Sequence, residues 1–102
     1  MSLDVEVRAV GDEVLVVLEG EMDTHTARQV GDRIAETVGE APAAVIVDGE
    51  GLKFLDSSGI SELLRIRQRL VDAGGSFRLR AISPTARRVL EITGLIGLLG
   101  LE

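Results

Sequence analysis

Val5, Val7 and Ala9 alternate with Asp4, Glu6 and Arg8, the two-residue period of a strand with one buried face. Gly11-Asp12 is a turn signal, and Glu13-Val14-Leu15-Val16-Val17-Leu18-Glu19 then reads as a nearly continuous buried strand. The two are expected to pair as an antiparallel hairpin. Gly20-Glu21-Met22-Asp23-Thr24 breaks the strand pattern, and Asp23 or Thr24 can cap a helix over residues 25–38. Ala27, Val30, Ile34 and Val38 share one face of that helix, with Gly31 beside them where another element could come close. Gly39 ends it, and Pro42 precedes the next element.

Ala43-Ala44-Val45-Ile46-Val47 is short and β-branched enough to be a central strand, with Asp48-Gly49-Glu50-Gly51 leading out of it. A second helix is expected after Asp56, with Ile60, Leu63, Leu64, Leu70 and Val71 facing inward and Gly74-Gly75 closing it. Phe77, Leu79 and Ala81 alternate with arginines in a fourth strand. Ser83-Pro84 supplies an N-cap and a first-turn proline for a short helix through about Ile92, ended by Thr93-Gly94. The apolar tail Leu95 to Leu101 has the makings of a short edge strand. The order is β-β-α-β-α-β-α, an α/β chain whose four- to five-stranded mixed sheet is flanked by helices and whose parallel pairs need right-handed crossovers.

Composition narrows the function. With 102 residues the chain reads as one domain, residues 1–102, large enough to close a core. It has no cysteine, which removes disulfides and thiolate metal sites and fits a reducing cytoplasm. No apolar run reaches the length of a membrane span and the N-terminus is unlike a signal peptide, so a soluble, cytoplasmic protein without a membrane role is expected. A net charge of −6 and only two aromatic residues, Phe54 and Phe77, argue against direct nucleic-acid binding. The charge is uneven: residues 1–51 carry −9 and residues 52–102 carry +3. Solvated faces that happen to differ explain this, as does an acidic surface turned toward a basic partner.

Catalysis finds little support. A serine hydrolase needs a nucleophile, a base and an orienting acid. The chain has Ser57, Ser58 and a single histidine, His25, but no serine with a glycine two residues away on both sides. Gly49-Glu50-Gly51-Leu52-Lys53 lacks the phosphate-loop spacing, and Asp48, Glu50 and Asp56 do not follow a calcium-loop spacing. No cofactor and no metal are expected. What remains is Phe54-Leu55-Asp56-Ser57-Ser58-Gly59-Ile60, two hydroxyls placed where a strand ends and a helix begins. Unpaired backbone N–H groups and a positive dipole end make such a place suited to an added phosphate. Asp56 or Ser57 could equally serve as a simple cap there.

Three segments together resemble the anti-sigma factor antagonist family, proteins built as a single STAS domain. Leu18-Glu19-Gly20-Glu21-Met22-Asp23-Thr24-His25-Thr26-Ala27 resembles the family's strand-to-helix junction, and Leu52-Lys53-Phe54-Leu55-Asp56-Ser57-Ser58-Gly59-Ile60 its phosphorylation motif. Ala81-Ile82-Ser83-Pro84, continued by Leu90-Glu91-Ile92-Thr93-Gly94-Leu95, resembles its C-terminal helix. Where many members have Leu-Gly after the motif glycine, this chain has Ile60-Ser61. Many also continue into a further helix, where this chain stops at Glu102.

The resemblance implies a partner-switching protein rather than an enzyme. Its unphosphorylated form would bind an anti-sigma factor that is itself a serine kinase, thereby releasing a sigma factor. Phosphorylation would end the complex, and a serine phosphatase would reset it. The implied acceptor is Ser58, with Ser57 the adjacent alternative. Gly20, Glu21, Asp23, Thr24, Asp56, Ser57 and Gly59 would form the partner-binding surface, with helix capping the equal alternative for Asp23. A competing reading within the same fold is a non-phosphorylated accessory subunit of a lipid-transport ATPase complex.

Overall fold

The computed structural model describes residues 2–101. The alternating N-terminal segment forms β1 (Leu3–Val10), which turns through Gly11 and Asp12 into β2 (Glu13–Met22) and pairs with it antiparallel. Gly11 takes φ 61°, a value that a two-residue hairpin favours and a side chain resists. The remaining elements are α1 (Ala27–Val38), β3 (Ala44–Leu55), α2 (Ser57–Asp72), β4 (Ser76–Ile82) and α3 (Pro84–Thr93). The sheet order is β1-β2-β3-β4, with β2, β3 and β4 parallel to one another. The expected element order and the central place of β3 are therefore both observed.

Register explains the core. Val14, Val45 and Phe77 stand side by side across β2, β3 and β4, and Val16, Val47 and Leu79 form the next row. All six are buried on one face of the sheet. Against that face pack Val30 and Ile34 of α1 and Leu63, Ile66 and Leu70 of α2, all buried. Parallel strands covered by helices read as near-continuous apolar runs, which is why β2 and β3 were conspicuous in the sequence. Ser83 caps α3 by accepting the N–H of Ala86 at 3.2 Å, with Pro84 in its first turn, and Leu90 is fully buried.

Several expectations need correction. Both central strands run further than their composition suggests. β2 continues through Gly20 to Met22, and β3 through Asp48-Gly49-Glu50-Gly51 to Leu55. The glycine-rich stretch stays in the sheet because it is paired on both sides: Gly51 lies opposite Glu19 and Gly49 opposite Ile82. A Cβ on Gly51 would come within 2.7 Å of Glu19 Cγ, so glycine here permits close strand approach instead of a turn. α1 starts at Ala27, not at residue 25, because residues 23–26 form a turn of their own.

The inward stripe of α2 is also rotated from expectation. Val71 is 43% exposed and Leu64 only half-buried, whereas Glu62 and Ile66 are buried. Glu62 points at α1, where Gly31 leaves room for it. Arg65 binds both its oxygens, at 3.0 Å and 2.6 Å, so the charge is buried with a partner. The close approach anticipated at Gly31 is thus filled by an ion pair. Finally, the tail from Leu95 is not a strand. Its backbone closes on itself, with the N–H groups of Leu99, Gly100 and Leu101 bonded to Leu95, Gly97 and Ile96. The Leu99 carbonyl reaches the sheet, accepting the Leu79 N–H at 2.8 Å, while Leu99 and Leu101 are buried. The tail covers β4 with turns, and the described sheet has four strands.

Candidate functional site

The parallel pair β2 and β3 ends level, with Met22 opposite Leu55 and the Asp56 N–H directed at the Met22 carbonyl at 3.4 Å. Each strand hands over to a helix there, so two junctions lie side by side on one end of the sheet.

In the second junction Asp56 is extended (φ −110°, ψ −172°), and its Oδ1 accepts the Gly59 N–H at 3.0 Å. This N-cap starts α2 at Ser57 and places both serines in its first turn. Gly59 is buried against the end of β2. A Cβ at Gly59 would stand 2.6 Å from Leu55 Cδ1 and 2.8 Å from the Met22 carbonyl oxygen. The glycine therefore lets α2 seat directly on the strand ends. Ser57 is exposed and Ser58 half-buried.

In the first junction Asp23 is buried and accepts three ways through Oδ1: from the N–H groups of His25 (2.8 Å) and Thr26 (3.1 Å) and, at 3.2 Å, from the Thr26 hydroxyl. Burial pushes the Asp23 carboxyl up, but these donors and the nearby imidazole outweigh it and hold the carboxyl below the usual aspartate range. The Thr26 hydroxyl also donates to the Glu21 carbonyl at 2.6 Å and accepts the Asp23 N–H at 3.0 Å. Gly20 has φ 119° and lies tight against the Ser2 backbone. The half-buried Glu21 is paired to Ser2 through its own N–H (2.9 Å) and through its carboxylate (3.3 Å).

Thr24 joins the two junctions. It is exposed, and its Oγ1 lies 3.1 Å from Ser58 Oγ, a hydrogen bond spanning 34 positions of sequence. The structure thus brings together Thr24, Ser58 and, through the paired strand ends, Asp23 and Asp56. Asp23 closes its own turn and does not cap α1, whose N-cap, Thr26, makes no side-chain capping bond. Sequence reading placed Thr24 and Ser58 in the same region but offered no sign that they touch, because nothing local encodes a contact between hydroxyls of two separate loops.

Ser58's side-chain partner is another hydroxyl, and the Asp56 carboxylate is occupied by the Gly59 N–H. Among the described residues no base is hydrogen-bonded to either serine. No group of three or more metal-ligating side chains occurs among the described residues. No helix among them is long and apolar enough to cross a membrane. A groove of about 340 Å³ between α1 and α2, lined by Ile34, Val38, Arg65 and Arg69 among others, shares no residue with the junctions.

A four-stranded mixed sheet flanked by helices, with a serine pair opening the second helix, defines a small mixed α/β domain. The STAS domain family model matches residues 4–101, and the chain belongs to that family. An anti-sigma F factor antagonist of Lysinibacillus sphaericus is 33% identical over 85 residues, covering 82% of this chain and 73% of the relative. The crystal structure of an anti-sigma factor antagonist from Mycobacterium paratuberculosis superposes with a TM-score of 0.84 at 29% identity, covering 98% of this chain and 85% of the other. The antagonist SpoIIAA in its unphosphorylated form matches with a TM-score of 0.79 at 30% identity, over 96% of this chain and 86% of the other. The Bacillus SpoIIAA structure in the phosphorylated form gives 0.71 at 29% identity, over 96% and 89%.

Proposed function

We propose that this protein is an anti-sigma factor antagonist switched by phosphorylation of Ser58. The observation that carries the reading is a half-buried serine in the first turn of a 16-residue helix, beside an exposed serine and hydrogen-bonded through its side chain to the Thr24 hydroxyl. The family membership supports it, as does the existence of a relative, SpoIIAA, in both unphosphorylated and phosphorylated forms. In this reading the unmodified protein docks on an anti-sigma factor that is a serine kinase, and a sigma factor is released. Transfer of phosphate to Ser58 ends the complex, and a serine phosphatase restores it. The protein is the substrate of this chemistry, not its catalyst, and acts in the cytoplasm.

Exposed Thr24 and Ser57, with half-buried Glu21, Asp56 and Ser58, form the docking surface; Gly20, Asp23 and Gly59 shape it from beneath. Phosphorylation adds about −1.5 to −2 charges at neutral pH. The helix N-terminus stabilises them by roughly 0.3–1 kcal/mol, so the fold is retained. At the interface the same charge, added to a surface that already carries Glu21 and Asp56, is set against the partner, and like-charge juxtaposition there of several kcal/mol is enough to end binding, since about 1.4 kcal/mol is tenfold in affinity.

The test is the intact mass of the protein recovered from its host under stressed and unstressed conditions, with its bound partner identified. A reversible gain of one phosphoryl group, abolished by Ser58→Ala, is expected, together with a kinase partner that binds Ser58→Ala and releases Ser58→Glu. A protein that never gains phosphate and is recovered with a membrane ATPase would overturn the reading in favour of a transporter subunit.

A further inference from the structure

We propose that Thr24 is a positioning residue for phosphoryl transfer, fixing Ser58 rather than Ser57 as the acceptor and then holding the phosphate once attached. This rests on the reading of the α2 start as a phosphoacceptor site. The two serines are neighbours in one helical turn and identical in chemistry. Successive residues of a helix point about 100° apart, so the two hydroxyls face different surroundings. Ser57 is exposed and makes no side-chain hydrogen bond among the described residues, whereas Ser58 Oγ is tied to Thr24 Oγ1 at 3.1 Å.

Exposure alone would favour Ser57. What offsets it is orientation. An untethered serine samples three staggered χ1 wells, so fixing one of them is worth roughly threefold in the population of a reactive geometry. Thr24 is suited to do this. Its own χ1 is stiff because it is β-branched, and its backbone lies inside the turn that Asp23 closes through His25 and Thr26. The tether is therefore anchored at its far end by buried hydrogen bonds.

Either hydroxyl can donate in the unmodified protein. For transfer, Thr24 donates to Ser58 Oγ, which leaves the Ser58 proton pointing outward. Ser58 Oγ then bonds to the γ-phosphorus of a nucleoside triphosphate carried by the partner kinase. The bond from that phosphorus to the bridging oxygen breaks, the nucleoside diphosphate leaves, and the Ser58 proton passes to the kinase's base. Oγ is now an ester oxygen and a poor acceptor, so the Thr24 hydroxyl turns to a non-bridging phosphate oxygen, a charge-assisted contact.

The experiment places wild type, Thr24→Val, Thr24→Ala and Thr24→Ser in the host and counts phosphate on Ser57 and Ser58 by fragment-ion mass spectrometry. Amide spectra check that each variant folds. Losing the tether is expected to shift the Ser57:Ser58 ratio about threefold toward Ser57 in the Val and Ala variants, with Thr24→Ser, which keeps the hydroxyl on a less rigid side chain, moving it back toward the wild-type ratio. In 31P titrations of the phosphorylated proteins, the second phosphate pKa is expected to be higher in Thr24→Val than in wild type. Phosphate confined to Ser58 in every variant, with superimposable 31P titrations, would overturn the role of Thr24 and leave the switch intact. Wild type modified on Ser57 would overturn it as well. Wild type never modified on either serine would overturn the switch itself and this inference with it.

Discussion

Two parallel strands end level in this molecule, and each enters a helix past an aspartate, but the polar groups of the two junctions have different fates. At the end of β2, Asp23 and Thr26 consume one another: carboxylate, hydroxyl and the N–H groups of Asp23, His25 and Thr26 are all paired, and both side chains are buried. At the end of β3, Asp56 takes one N–H, from Gly59, and the serines that follow keep their hydroxyls off the backbone. Their own N–H groups are among the first four of α2, which have no intrahelical acceptor. The first junction is closed and holds a shape. The second is open and can receive a group on its serine hydroxyls without losing the Asp56–Gly59 cap bond. The proposed switch needs both, because a charge added at the open junction has a geometric consequence only if the neighbouring surface does not move.

The largest way to break this arrangement is to separate the junctions. Gly59→Ala puts a methyl against Leu55 and the Met22 carbonyl and is expected to lower stability by about 3 kcal/mol, read as a shifted midpoint in urea. Next comes the closed junction itself. Thr26→Val keeps the shape but strands the buried Asp23 N–H and the Glu21 carbonyl, with an expected loss of about 2 kcal/mol in the same measurement. Asp56→Ala removes a single cap bond from the open junction and should cost about 1 kcal/mol. If Asp56→Ala proved more damaging than Thr26→Val, the contrast between closed and open junctions would be wrong.

Acid acts on the closed junction. The Asp23 carboxyl is held below its ordinary value in the folded protein, so its stabilisation is complete above the unfolded pKa near 4 and is lost as pH falls through the lower, folded one. Asp48 behaves the same way: burial raises its carboxyl, and the Glu50 N–H and Arg80 outweigh that and lower it. Asp23→Asn should therefore be less stable than wild type at pH 6, and the gap should narrow as pH falls below about 4 in thermal melts across that range. A gap of constant size would show that Asp23 acts through shape alone. The smallest effect is at the exposed serine, where Ser57→Ala should change stability by no more than about 0.5 kcal/mol.

How much of this was legible in the sequence follows physical lines. Val14-Leu15-Val16-Val17-Leu18 and Val45-Ile46-Val47 announce strands because burial on a parallel sheet needs unbroken apolar runs. Ser83-Pro84 and Gly94 mark the ends of α3 because caps are satisfied by residues within four positions of them. Legibility failed where a long-range partner overrode local preference. Asp48-Gly49-Glu50-Gly51 has turn composition but is held extended by strands on either side, with Asp48 bound to Arg80 at 2.9 Å. Glu62 is charged, and a hydrophobic stripe cannot reveal that Gly31 of another helix makes room for it beside Arg65.

The same division runs through the candidate site. The residues Asp56-Ser57-Ser58-Gly59, a cap and two hydroxyls followed by a glycine, determine by themselves that a helix starts here and that a phosphate could be accommodated at its end. Those are local properties, set by backbone N–H groups, dipole and side-chain reach. The fold alone decided that Thr24 meets Ser58, that Asp23 is buried and closed while Asp56 is not, and that Gly59 seats one junction on the other. These depend on two strands ending level, Met22 beside Leu55, a register set by the packing of the whole sheet and by no neighbouring residue.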